Sequence, residues 1–165
     1  MYCIFETRNG WVVLARNSKG LTHCTLPSPS REDALESIEA GLSSDAVEDE
    51  AAFGDLPGKL RRYFDGERVD FSGVAVDVSG FGPCHAAAML AAQKIPYGTL
   101  VTYEELARMA GNEKAARAAG SAMAGNPMPI IIPCHRVVAA GRRIGGFSAG
   151  LEWKRSLLEL EGVDI

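Results

Sequence analysis

Thr102-Tyr-Glu-Glu-Leu-Ala-Arg-Met-Ala-Gly-Asn-Glu-Lys-Ala-Ala-Arg-Ala-Ala-Gly-Ser-Ala-Met-Ala124 is the stretch that decides the architecture of this chain. Thr102 is a good helix N-cap, and Glu105 stands three residues on, the spacing of a capping box. The helix it opens ends at the Gly111-Asn112 turn. A second helix is expected over Glu113 to Ala124, closed by Gly125-Asn126-Pro127. Two short helices joined by a tight glycine turn form a helix-turn-helix. Over Ala115–Ala124 the side chains are almost all tiny, and Arg117 is the one long polar group among them. Tight helix-to-helix packing asks for the same small residues. The lone arginine tips the reading toward a face that meets DNA and inserts a side chain.

Immediately beyond lies Pro127-Met-Pro-Ile-Ile-Ile-Pro-Cys-His-Arg-Val-Val138. Ile130 to Ile132 reads as a buried apolar strand that stops at Pro133 and delivers a thiol, Cys134, with an imidazole beside it. Proline fixes its own φ and restrains the residue before it, so the thiol sits on stiff backbone. Nucleophilic sulfur needs a base or a positive neighbour to raise its thiolate fraction. Neighbours on a strand point to opposite faces, and a free cysteine ending an apolar run is as a rule plain core. From this run alone both readings of Cys134 stay open.

At 165 residues the chain can form one generous domain or two small ones. It has no apolar run near the ~20 residues of a membrane span and no signal-like start, so a soluble, cytoplasmic protein is expected. Four scattered cysteines, Cys3, Cys24, Cys84 and Cys134, suit free thiols in a reducing compartment. The net charge of −4 hides a division: residues 1–93 carry 8 basic and 14 acidic groups, residues 94–155 carry 9 basic and 4 acidic ones. A basic segment in an acidic protein is a footprint for a polyanion, or else a solvated face.

The first part reads as a small α/β unit. Strands are expected at Trp11–Arg16, Leu21–Leu26 and Phe71–Val78. Helices are expected from Ser30, an N-cap with Asp33 three positions on, to Gly41, and over Leu56–Phe64. Ala86–Gln93 reads as the first helix of the second part.

Taken together, Gly98, Tyr103, Arg117, Gly125-Asn126-Pro127 and Pro133-Cys134-His135-Arg136-Val137 resemble the O6-alkylguanine-DNA alkyltransferases (methylated-DNA–protein-cysteine methyltransferases). The match is strong from Ile95 to Gly162 and general before that. Its tail includes Gly145-Gly-Phe-Ser-Ala-Gly150, Lys154-Arg-Ser-Leu-Leu158 and Glu161-Gly162. The resemblance implies an α/β N-terminal domain, a ribonuclease-H-like small sheet plus helices, over residues 1–78. A mostly α, winged-helix-like DNA-binding domain follows over 79–165.

It also implies direct-reversal repair of double-stranded DNA by a monomer. The helix-turn-helix binds the minor groove, the damaged guanine is flipped out, and one alkyl group moves from its O6 irreversibly to the protein. Alkyl on O4 of thymine is expected to react likewise. The resemblance makes Cys134 the acceptor, His135 the base acting through a water, and Glu161 the carboxylate orienting His135. Tyr103 assists rotation of the nucleotide and gives a hydrogen to the guanine ring. Asn126 braces the turn beneath the site. Arg117 fills the space the base vacates, on a DNA-binding face shared with Tyr103, Ala116, Gly120 and Ser121. Met128, Val137, Phe147 and Ser148 form the substrate pocket.

No cofactor is expected. Cys3, His23, Cys24 and His85 could supply four zinc ligands, but their spacing matches no zinc pattern, so no metal site is assigned. The chain departs from the family at Cys84-His85-Ala-Ala-Ala-Met89, where aromatic residues are usual, and at Phe147, where a tyrosine is common. Cys84-His85 repeats part of the Pro-Cys-His tripeptide at a helix start and reads as packing. The competing readings are a non-catalytic alkyltransferase-like damage-binding protein, which would lack Cys134, and an unrelated Cys-His hydrolase, which needs an oxyanion hole.

Overall fold

The computed structural model describes residues 1–165, which fall into two compact units, 1–69 with 74–77 and 70–73 with 78–165. In the first, β1 (Tyr2–Thr7), β2 (Gly10–Arg16) and β3 (Leu21–Cys24) form an antiparallel sheet in that order. Its central residues are buried whichever way they point, from Cys3 to Phe5 and from Val12 to Ala15. Successive strand side chains leave opposite faces, so a continuous apolar run needs cover on both sides. Helix α1 (Arg31–Ile38) supplies one cover, with Ala34 and Ile38 in a cluster with Ile4, Val13 and Ala15. Helix α2 (Leu56–Phe64) packs against β1, its Arg61 guanidinium 5.1 Å from the Phe5 ring centroid.

Ser30 caps α1 by accepting the Asp33 N–H. The expected strand at Leu21–Leu26 is regular only to Cys24. Beyond it the Thr25 hydroxyl accepts the Val13 N–H at 2.9 Å, taking the place of a ladder carbonyl. The expected strand at Phe71–Val78 does not form. Ser72 N–H turns back onto the Asp70 carboxylate, and only an isolated bridge between Leu21 and Val76 remains. Strand β1 lies outside the strands expected from the sequence.

The second unit is helical. Helix α3 (Pro83–Gln93), α4 (Tyr103–Met109) and α5 (Ala116–Ala124) pack on one another, and α6 (Leu151–Leu160) closes the chain. Thr102 and Glu105 form the capping box at both of its hydrogen bonds. Helix α5 starts three residues later than expected, because the Asn112 side chain takes the Lys114 N–H and its carbonyl the Ala115 N–H. The small residues of α5 serve two faces. Ala119, Ala122 and Met123 are buried, whereas Arg117 and Ser121 are exposed. A parallel pair, β4 (Val101–Thr102) with β5 (Val137–Val138), sets the start of α4 beside the segment that follows Cys134. No helix is long and apolar enough to cross a membrane.

Candidate active site

The apolar run before Cys134 is a buried turn, not the expected strand. Ile130 has φ of 75°, in the left-handed region that a β-branched side chain rarely adopts, and the Ile132 N–H bonds the Met128 carbonyl. Asn126 makes this possible. Its Oδ1 accepts the Met128 N–H at 3.0 Å and its Nδ2 donates to the Ile132 carbonyl at 2.8 Å, so buried backbone groups are satisfied without a sheet partner. Pro133, at φ −78° and ψ 69°, is the centre of an inverse γ-turn closed by the Cys134 N–H on the Ile132 carbonyl at 2.7 Å. A 3₁₀ turn over Cys134–Arg136 follows. The thiol thus stands on two consecutive tight turns pinned by one asparagine.

Glu161 arrives from the other end of the unit. Helix α6 finishes in a Schellman motif: Gly162 has φ of 79°, its N–H bonds the Glu159 carbonyl, and the Val163 N–H bonds that of Leu158. Glu161 occupies the capping position, with its buried carboxylate among four donors. These are the Gly98 N–H at 3.0 Å, His135 Nε2 at 2.5 Å, and Arg136 Nε and Nη2 at 2.8 and 3.0 Å. Arg136 also donates Nη1 to the Ile95 carbonyl at 2.6 Å, with its guanidinium carbon 5.7 Å from the Tyr97 ring centroid.

These contacts fix the charges. Burial alone would raise the pKa of Glu161, but the hydrogen bonds from His135 and Arg136, with the Arg136 charge, outweigh it and hold the carboxyl well below the usual range. Burial lowers that of His135, against the pull of Glu161, so the imidazole is neutral at neutral pH. An ionised carboxylate only accepts, so Nε2 carries the ring hydrogen and the buried Nδ1 carries the lone pair. The arrangement therefore presents a base. Burial raises the pKa of the Cys134 thiol, while the Asn126 amide and the positive charge of Lys154 draw it partly back.

Tyr103 and Arg117 lie in the walls of one cleft of about 570 Å³, together with Ala116, Gly120 and the Ala139–Gly141 turn. The Tyr103 ring packs beside Gly120, where a Cβ would make ordinary van der Waals contact at 3.8 Å from Cδ1. Burial raises the pKa of the Tyr103 phenol, outweighing a hydrogen bond with the Gly146 backbone that draws it partly back, so the group stays protonated.

Of the expected site residues, the structure brings His135 and Glu161 into direct contact beside Cys134, with Asn126 beneath. It gathers Tyr103, Ala116, Arg117 and Gly120 at the cleft. Ser121 is exposed on α5. None of Met128, Val137, Phe147 and Ser148 lines that cleft; Met128 and Val137 are fully buried, Phe147 is half-buried and Ser148 is exposed. No group of three or more His, Cys, Asp or Glu side chains could hold a metal ion. Cys3 and Cys24 are buried free thiols in the first unit, and Cys84 is exposed at the start of α3.

Sequence reasoning gave Arg136, Lys154 and Gly98 no role. The available signal was a basic residue inside an apolar pattern: Lys154 shares a face with Leu157 and Leu158, and Arg136 precedes Val137-Val138.

Comparison with known proteins agrees along the whole chain. The ribonuclease-like domain of 6-O-methylguanine DNA methyltransferase matches residues 1–78, and the DNA binding domain of the same family matches residues 83–163. A methylated-DNA–protein-cysteine methyltransferase of Methanosarcina acetivorans is 36% identical over 162 residues, covering 98% of this chain and 97% of that protein. One from Saccharolobus solfataricus is 32% identical over 165 residues, covering 100% and 97%. The crystal structure of Mycobacterium tuberculosis OGT in complex with DNA superposes with a TM-score of 0.77 at 33% identity, over 97% of this chain and 91% of that one. The O6-methylguanine-DNA methyltransferase of Pyrococcus kodakaraensis gives 0.75 at 27% identity, over 99% and 100%. With both units matched and full-length relatives above 30% identity, the chain belongs to the methylated-DNA–protein-cysteine methyltransferase family.

Proposed function

We propose that the protein repairs alkylated DNA by moving an alkyl group from O6 of guanine, and from O4 of thymine, to Cys134. The observation that carries this reading is the buried His135–Glu161 pair, with Nε2 2.5 Å from the carboxylate, on the same tight turn that carries Cys134. A base atom inside a duplex is out of reach of a buried thiol, so the damaged nucleotide leaves the stack, at a cost of a few kcal/mol. The Tyr103–Arg117 cleft receives it, with the Arg117 side chain standing in the gap and the small side chains of Ala116 and Gly120 allowing close approach.

The chemistry is a displacement at carbon. Nδ1 of His135 takes the Cys134 proton through a water, and Glu161 stabilises the imidazolium that forms. The thiolate attacks the alkyl carbon, the S–C bond forms, and the O6–C bond breaks with its electron pair going to the guanine. Tyr103 supplies the ring with a proton and is reprotonated from His135, so the net change is transfer of the thiol hydrogen to guanine. The product is a thioether, which nothing in the site can reverse, so each molecule acts once. The Cys134→Ala variant tests the assignment: it retains affinity for duplex holding O6-methylguanine and loses transfer. Persistent transfer would assign the acceptor role to Cys3, Cys24 or Cys84.

A further inference from the structure

Lys154 is fully buried on the face of α6 that also carries Leu157 and Leu158. Its Nζ donates to the Val137 carbonyl at 2.7 Å and the Gly146 carbonyl at 3.0 Å. It therefore clasps the strand that follows Cys134 to the loop at residues 145–150. Both partners are neutral, and no carboxylate forms an ion pair with it. A buried ammonium without a counter-charge is costly, and a neutral side chain of similar length would fill the same space without that cost.

The charges around it explain why a lysine stands there. The other ionisable groups of the site are His135, Arg136 and Glu161, with Tyr103 from α4. Arg136 and Glu161 cancel in their two-bond ion pair, while His135 and Tyr103 are neutral. The cluster is therefore positive by one with Cys134 as a thiol, and balanced with Cys134 as a thiolate. We propose that Lys154 is the positioning residue that supplies the counter-charge of the Cys134 thiolate, its ammonium held in place by the carbonyls of Val137 and Gly146. This rests on the reading of Cys134 as acceptor. The coupling runs both ways. Burial brings the pKa of Lys154 down to about 8 and the Cys134 charge raises it, while the Lys154 charge lowers that of Cys134.

The test is the pH profile of Cys134 alkylation by iodoacetamide in the full chain without DNA, read thiol by thiol by peptide mass spectrometry. In Lys154→Met the Cys134 profile moves up by about one pH unit or more, which is about tenfold slower reaction at pH 7. Exposed Cys84 keeps its profile and serves as the internal control. A clasp with a structural role only would leave the Cys134 profile in place, and that result overturns the proposal. Should Lys154→Met fail to fold, the same coupling is read from the other side. The Lys154 ammonium, followed by nitrogen NMR, titrates lower in Cys134→Ala than in the parent, and equal midpoints overturn the proposal. A shifted profile in a protein that takes no methyl from DNA sustains the coupling and overturns the acceptor reading.

Discussion

Replacing Glu161 with glutamine removes one charge and keeps the shape, and the structure says how much follows. The carboxylate takes four hydrogen bonds, from Gly98, His135 and twice from Arg136. A glutamine amide has one oxygen to accept with, and its NH₂ is forced against a donor. Arg136 is 5% exposed, so its guanidinium is left as a buried charge with only the Ile95 carbonyl and the Tyr97 ring nearby. Breaking one side of a buried ion pair costs about 3–5 kcal/mol. At about 2–4 °C per kcal/mol for a chain of this size, Glu161→Gln lowers Tm by roughly 6–20 °C. Scanning calorimetry at pH 7 measures it. The control is Glu161→Gln with Arg136→Met, which removes both charges and regains most of the loss, as replacing a whole buried pair does. A single-variant shift below about 2 °C, or a double variant no better than the single, refutes the electrostatic account.

Gly145→Ala puts a side chain at φ of 70°, with its Cβ 3.2 Å from both the Ala139 nitrogen and the Tyr103 hydroxyl. The strain of about 1–2 kcal/mol lowers Tm by roughly 2–8 °C, and the displaced hydroxyl slows methyl transfer in a single-turnover assay. Arg117→Ala, at an exposed position, keeps stability within about 0.5 kcal/mol. It slows reaction with duplex far more than reaction with free O6-methylguanine, and equal slowing on both would remove the gap-filling role. Stability falls as the solution is acidified. The folded pKa values of His135 and Glu161 are both depressed, so the unfolded chain takes up protons first, below about 6.5 for histidine and about 4.3 for glutamate. Urea midpoints therefore drop from pH 7 to pH 4, and a flat profile would contradict the buried neutral imidazole.

What the sequence made legible is largely what short-range chemistry controls. The Thr102–Glu105 capping box, the Ser30 cap and the Gly111-Asn112 turn are local devices, and each stands in the structure. Ile130–Ile132 misled because three β-branched residues in a row are the pattern of a buried strand. The Asn126 side chain instead satisfies their backbone from outside the run, which no periodicity reveals. The helix α5 start and the Phe71–Val78 segment failed for a similar reason, since Asn112 and Asp70 side chains capture nearby N–H groups. The contact of His135 with Glu161 spans 26 residues and came from family resemblance, not from spacing. Arg136 and Lys154 were in plain view, but a basic side chain is solvated far more often than buried. Only the three-dimensional arrangement shows one paired with Glu161 and the other set among neutral carbonyls.

On the mechanism proposed above, Cys134 takes one alkyl group from DNA and keeps it. Intact-protein and peptide mass spectrometry after mixing with duplex containing a single O6-methylguanine tests it most directly. The expected result is one added methyl per protein molecule, on the peptide holding Cys134, with no further guanine repaired when DNA is in excess. An unshifted mass with tight binding to the lesion, or methyl on another thiol, would contradict the account.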